Sequence, residues 1–237
     1  MTAPLDPHAF AASLRQLVDS RRSFGGHPLW HRIAEGGVDP DGLRLFAVQF
    51  FLQVREFPRA VSALHAGCPY PEERILLAES LYEEETGRIS GCNLPHPELF
   101  IRFGEATGLN RDALVNGEAL PSTHSLLHWF ELSTRARPFL EGAAAITLAA
   151  EGQVPGAFGP FARALEKHYG LSRAQVEFWD LHEIADREHS DVGDHFVIGF
   201  ASTPELQRGV RAAIRTSLDH WWQFFDGIER AIDAKGH

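Results

Sequence analysis

Positive charge is scarce in this 237-residue chain: 22 Lys plus Arg stand against 32 Asp plus Glu, for a net charge of -10, and lysine occurs only at Lys167 and Lys235. Such a balance repels phosphate backbones and anionic lipid, which argues against nucleic-acid and membrane partners. Cys68 and Cys92 are the only thiols, too few for a disulfide framework and not in C-x-x-C spacing, so a reducing compartment is expected. Long apolar runs are missing as well. The most apolar stretch, Phe139 to Ala150, is interrupted by Glu141 and too short to span a bilayer. The opening MTAPLDPHAFAA has no basic stretch followed by an apolar one, and together these absences read as a cytoplasmic protein. No alternating pattern is long enough to build a sheet.

What is present is helical periodicity over a 44% hydrophobic composition. Residues 40–66 place Leu43, Phe46, Phe50, Phe57, Val61 and Leu64 at helical intervals, with Asp39 and Asp41 as caps, and predict one long helix. Gln49, Gln53 and Glu56 form a polar strip along the edge of that apolar face, either a solvated boundary or the lining of a cavity. Similar periodicity covers 8–22, 27–35, 71–87, 96–108, 122–136, 138–153, 156–169, 173–199 and 203–234, punctuated by Pro and Gly at 67–71, 91–97, 152–160 and 199–204. The interruptions are short and no period repeats. The expected fold is therefore all-α, a single domain over 1–237 built as a compact bundle of about seven longer helices with short connectors.

The most informative motif is His182, Asp186 and His189 in WDLHEIADREHSDVGDHF. At about 100° per residue, positions i+4 and i+7 fall within about 40° of the first, so the three side chains leave one helix face, shared with Trp179 and Ala185 and pointing inward. Two imidazoles and a carboxylate on a buried stripe are costly unless each is hydrogen-bonded or bound to a metal, and N plus O donors suit iron, manganese or zinc. With 13 histidines in the chain, i,i+4 pairs such as His27/His31 and His124/His128 also arise by chance, so ligands from other helices are needed. Glu151 ends an otherwise apolar segment, GAAAITLAAEGQVP, where a carboxylate needs a partner or a frayed helix end. Glu84 shares a stripe with Leu77 and Leu81, but Glu83 and Glu85 compete with it, and a run of three glutamates is commonly a solvated face. His96, in LPHPELF, opens the next helix.

In order and spacing, VQFFLQVREFPRAVSALHAGC, LLAESLYEEETG, HPELF, AAEGQVP and HEIADREH resemble the haem-oxygenase-like di-iron oxidases, whose relatives include enzymes that make p-aminobenzoate or alkenes and, distantly, the pyrroloquinoline-quinone synthase. The resemblance covers about residues 8–230. It implies two iron ions held by Glu84, His96, Glu151, His182, Asp186 and His189, with Glu151 bridging or shared and Glu56 as a candidate additional ligand. Extra residues in RISGCNL, between Gly87 and His96, leave Glu83 open as the alternative to Glu84.

The p-aminobenzoate makers consume their own side chains, two tyrosines and a lysine, at positions that read Trp30, Ala150 and Phe161 here. An external small molecule is therefore the expected substrate. The leading reading is an oxidoreductase in which ferrous iron activates O2 to oxidise a small molecule in a biosynthetic pathway. By analogy with the family that molecule is an amino acid or amine, and its pocket is lined by Gln49, Gln53, Phe50, Trp129 and Phe130. The electron donor is unknown, and family habit implies a homodimer. The alternatives are a metal-free cofactor-biosynthesis enzyme of the quinone-synthase or thiaminase type, or an interaction module with structural histidines.

Overall fold

The computed structural model describes residues 3–235, the side chains of 184–191 and 235 excepted. Its elements are helical throughout, with no strand among the described residues, as the periodicity predicts. Eleven α-helices follow in order: α1 Pro7–Arg21, α2 Pro28–Ala34, α3 Pro40–Gly67, α4 Glu73–Thr86, α5 His96–Ala106, α6 Arg111–Val115, α7 Pro121–Arg135, α8 Phe139–Ala143, α9 Phe158–Tyr169, α10 Glu177–Phe200 and α11 Pro204–Lys235. Eight of these run eleven residues or more, close to the seven longer helices expected. No helix is long and apolar enough to cross a membrane.

The helix starts follow local chemistry. Asp6 accepts from the amides of His8 and Ala9 ahead of Pro7, and Asp39 accepts from Gly42 at 2.7 Å ahead of Pro40. In both, a short acceptor side chain satisfies an amide that the first turn leaves open, and proline costs nothing there. The His27 ring caps α2 by accepting from Leu29, while its Nε2 meets Asp226 on α11 at 3.0 Å. That assigns His27 a structural task.

Helix α3 packs on α4, α5 and α7, and α10 packs on α5 and α9. Between them lies an aromatic core in which the Phe50 ring lies 5.3 Å from that of Phe100 and 5.0 Å from that of Trp179. Rings of this size each bury a large apolar area and help hold the bundle together.

The segment expected as one helix over 138–153 is broken. After α8 come a π-helical turn, Ala144–Leu148, and a 3-10 turn, Glu151–Gln153. The Ala149 amide reaches back five residues to the Ala144 carbonyl at 3.1 Å. Helix α10 packs closely on this stretch, and a Cβ on Gly193 would lie 2.5 Å from Thr147 Oγ1 and 2.7 Å from a Leu148 methyl. The bulge is pinned by Thr147 Oγ1 donating to Ala143 O and by Ser217 Oγ donating to Ala145 O. One extra residue per turn rotates everything after it, and such bulges concentrate at functional sites. Five-residue α6 was not expected, being too short to show a period.

Candidate metal centre

Helix α4 ends where Gly87 takes up φ 59°, with its amide on the Glu83 carbonyl at 2.7 Å. A Cβ there would strike Cys92 Sγ and Leu94 O, so only glycine lets the following loop fold back so closely. The last turn of α4 directs both Glu83 and Glu84 inward, 2% and 5% exposed, and leaves Glu85 in solvent. The run of three glutamates is thus not a solvated face. His96 is the first residue of α5, set by the Pro97 that follows it, and is buried against α4. His182, also buried, comes from α10.

Glu84, His96 and His182 each bring one ligand atom within 4.8 Å of the others. The two imidazoles meet edge to face with centroids 4.5 Å apart. His182 Nδ1 lies 2.7 Å from the Phe178 carbonyl, which can only accept, so the proton sits on Nδ1 and Nε2 is left as the donor atom. His96 Nδ1 lies 3.0 Å from Glu84 Oε1 yet makes no hydrogen bond, a buried polar atom without a partner. A nitrogen and an oxygen aimed past each other in this way fit two ligands of one cation, and the N, N, O set suits iron. Burial alone would lower the His96 pKa, but Glu84 and Glu83 outweigh it and raise it to about 9.

Glu151, 8% exposed, also lines the cavity that Glu84 and His182 line, delivered there by the 3-10 turn after the π bulge. That turn is held from its far side. Gln153 is wholly buried, accepts from the amide and hydroxyl of Ser23 at 2.7 and 2.9 Å, and donates to Ala149 O, while Arg22 donates to the carbonyls of Gln153 and Pro155. Glu183, beside His182, accepts from the amides of Gly156 and Gly159 and so ties the loop carrying Phe158 to α10. The side chains of Asp186 and His189 lie outside the described residues.

The cavity itself has space of about 50 Å³ and is walled by Phe24, Phe50, Phe57, Phe158, Phe178 and Trp221, with Ala150, Val54 and Val154 between them. Gln53 is the one amide side chain among its described lining residues, and none of those is Lys or Arg. The polar strip of α3 is therefore split three ways. Gln49 does not reach the cavity: its amide donates to Glu118 O and accepts from Leu120 N and Thr123 Oγ1, tying down the α6–α7 connection. Glu56 turns to an outer pocket, its oxygens taken by Arg55 and Arg59. Phe50 and Gln53 line the cavity as expected, but Trp129 stacks on His220 and Phe130 packs behind Phe57, so neither is among its lining residues. Trp30 and Phe161 stack with ring centroids 4.0 Å apart, an inert pair in the core. Both thiols point elsewhere, Cys68 Sγ to Tyr70 O and Cys92 Sγ to Leu94 O.

Comparison with known proteins matches residues 44–222 to the family described as iron-containing redox enzymes. A 4-aminobenzoate synthase from Nitrosomonas europaea is 33% identical over 229 residues, covering 91% of each chain. A solved structure from Shewanella denitrificans, of a domain of unknown function with a haem oxygenase-like fold, superposes with a TM-score of 0.77 at 16% identity, covering 97% of this chain and 94% of that one. A TenA homologue from Pseudomonas syringae does so with 0.75 at 15%, covering 94% and 93%; at such identities the likeness is one of fold. With three-quarters of its length matched and a relative of this similarity over nearly all of it, the chain belongs to the haem-oxygenase-like family of iron-containing redox enzymes.

Proposed function

We propose that this protein is a non-haem di-iron oxidase that uses O2 to oxidise a small external amine or amino acid in a biosynthetic pathway. The observation that carries the reading is the convergence of Glu84, His96 and His182 from three helices beside an aromatic-walled cavity that Glu151 also lines. Asp186 and His189 complete the proposed set from the next turns of α10. Iron held there supplies the electrons and Lewis acidity for dioxygen chemistry that no side chain supplies.

The chain's own residues bind, orient and exclude water. Phe50, Phe57, Phe158 and Trp221 keep the space apolar, which strengthens every polar contact within it. Gln53 makes no hydrogen bond to another described residue from its position on the wall, so its carbonyl oxygen is available to an incoming N–H. With Lys and Arg absent from the described lining, the pocket favours an amine over an unpaired anion. The volume takes the reacting end of a molecule rather than a large body. An external substrate also follows from Ala150, Trp30 and Phe161, none of which offers an amine or a phenol.

The experiment is aerobic turnover of the iron-loaded, reduced protein with candidate amines and amino acids, followed by intact-protein mass spectrometry. We expect product only with added substrate and an unchanged polypeptide mass. Release of an aromatic amine without added substrate, with loss of a side-chain fragment, would overturn the external-substrate reading.

A further inference from the structure

The sequence leaves Glu83 and Glu84 as rivals for one ligand position, and the structure gives them different tasks. Glu83 Oε2 accepts from the amides of Ile89 and Ser90 at 2.7 and 3.2 Å, and Oε1 faces His96 Nε2 at 3.3 Å. Its electron density is committed to its own chain. The donors come from the loop 87–95, whose fold is fixed by Gly87 at φ 59° and by the Asn93 amide on Gly87 O at 2.8 Å. A carboxylate 2% exposed stays ionised in such a place only when hydrogen bonds replace water, and two backbone amides do so here. An ionised carboxylate accepts and cannot donate, so the proton between the two residues belongs to His96 Nε2.

We infer that Glu83 is the positioning residue of the metal centre: it holds the Nε2–H of His96 so that Nδ1, facing Glu84 Oε1 at 3.0 Å, is the atom presented to the metal. Helix geometry makes this arrangement available, because adjacent residues at the end of α4 reach opposite edges of one imidazole. Glu84 meets the Nδ1 edge and Glu83 the Nε2 edge. His182 carries the mirror assignment, with Phe178 O holding the Nδ1 proton, which leaves the lone pair on Nε2. The extra residues of the loop thus provide the amide cradle for a carboxylate that orients a ligand without being one. A carboxylate behind a ligating histidine fixes its tautomer and ring plane and raises its basicity.

The inference rests on the proposed metal centre, and one set of titrations separates the two. Wild type, Glu83→Ala and Glu83→Gln are titrated anaerobically with Fe2+ and with Co2+, and the Co2+ forms are examined by proton NMR for the paramagnetically shifted, exchangeable His96 Nε2–H. We expect Glu83→Ala to weaken the tighter site about 100-fold and Glu83→Gln, which keeps an acceptor for Nε2–H, about tenfold, the span usual for such outer carboxylates. The shifted proton should persist in Glu83→Gln and exchange away in Glu83→Ala. Should Glu83→Ala lose its helical circular dichroism, Glu83→Gln carries the test alone. Wild-type affinity together with an unmoved proton resonance in the folded variants would overturn the role of Glu83, even if their melting points fell. Failure of the wild type to bind either ion would instead remove the metal centre itself.

Discussion

The two walls of the cavity deliver their carboxylates by opposite means. Glu84 stands on the last turn of a regular helix, closed by Gly87 and flanked by a neighbour bound to loop amides. Glu151 stands after a helix that has come apart into a π turn and a 3-10 turn and is clamped by Arg22, Ser23 and Gln153. One carboxylate is placed by regularity and the other by its interruption. The first kind of placement can be read from spacing, whereas the second depends on what packs against the break.

Gly193→Ala is the sharpest way to disturb the segment that carries Glu151. Its methyl would collide with Thr147 Oγ1 and Leu148, so either α10 or the bulge must move. Overpacking of this kind costs about 1–3 kcal/mol, roughly 2–12 °C in melting temperature for a chain this size at about 2–4 °C for each 1 kcal/mol. Differential scanning calorimetry of the metal-free protein measures it. The Glu84 wall should keep its metal affinity in the same variant, so a loss at both sites would show that the walls are not independent.

The other wall has a smaller signature, in pH. Metal-free His96 is raised from an ordinary 6.5 to about 9 by Glu84 and Glu83 against the opposing effect of burial. A raised folded-state value means that its contribution to stability is complete below about 6.5 and is lost as pH rises through about 9. The melting temperature of the metal-free protein should fall across that window, and Glu84→Gln should flatten the slope. A profile unchanged by Glu84→Gln would mean that the buried pair does not couple to folding.

The same contrast explains how much was legible. The helices appear in the sequence because caps such as Asp39–Pro40 and an apolar period are local properties, and the inward face of His182 follows from its spacing to Trp179. The stripe shared with Leu77 and Leu81 points to Glu84, but the extra residues between Gly87 and His96 leave Glu83 open as the alternative. The backbone amides of Ile89 and Ser90 engage Glu83 and not Glu84, and no side-chain code announces where an amide will point. Gln49 and Gln53 lie four residues apart on one face, yet the connection after the unforeseen α6 covers only the first. The π turn was invisible because a run of alanines satisfies an α-helix equally well, and the close packing of α10 at Gly193 is not a local property of the sequence.

Anaerobic ferrous titration of the intact chain, read by elemental analysis and Mössbauer spectroscopy, tests the central claim most directly. The account predicts binding of about two iron ions per chain, each in a nitrogen and oxygen environment. A chain that stays iron-free in anaerobic excess, with its helices intact, would contradict it.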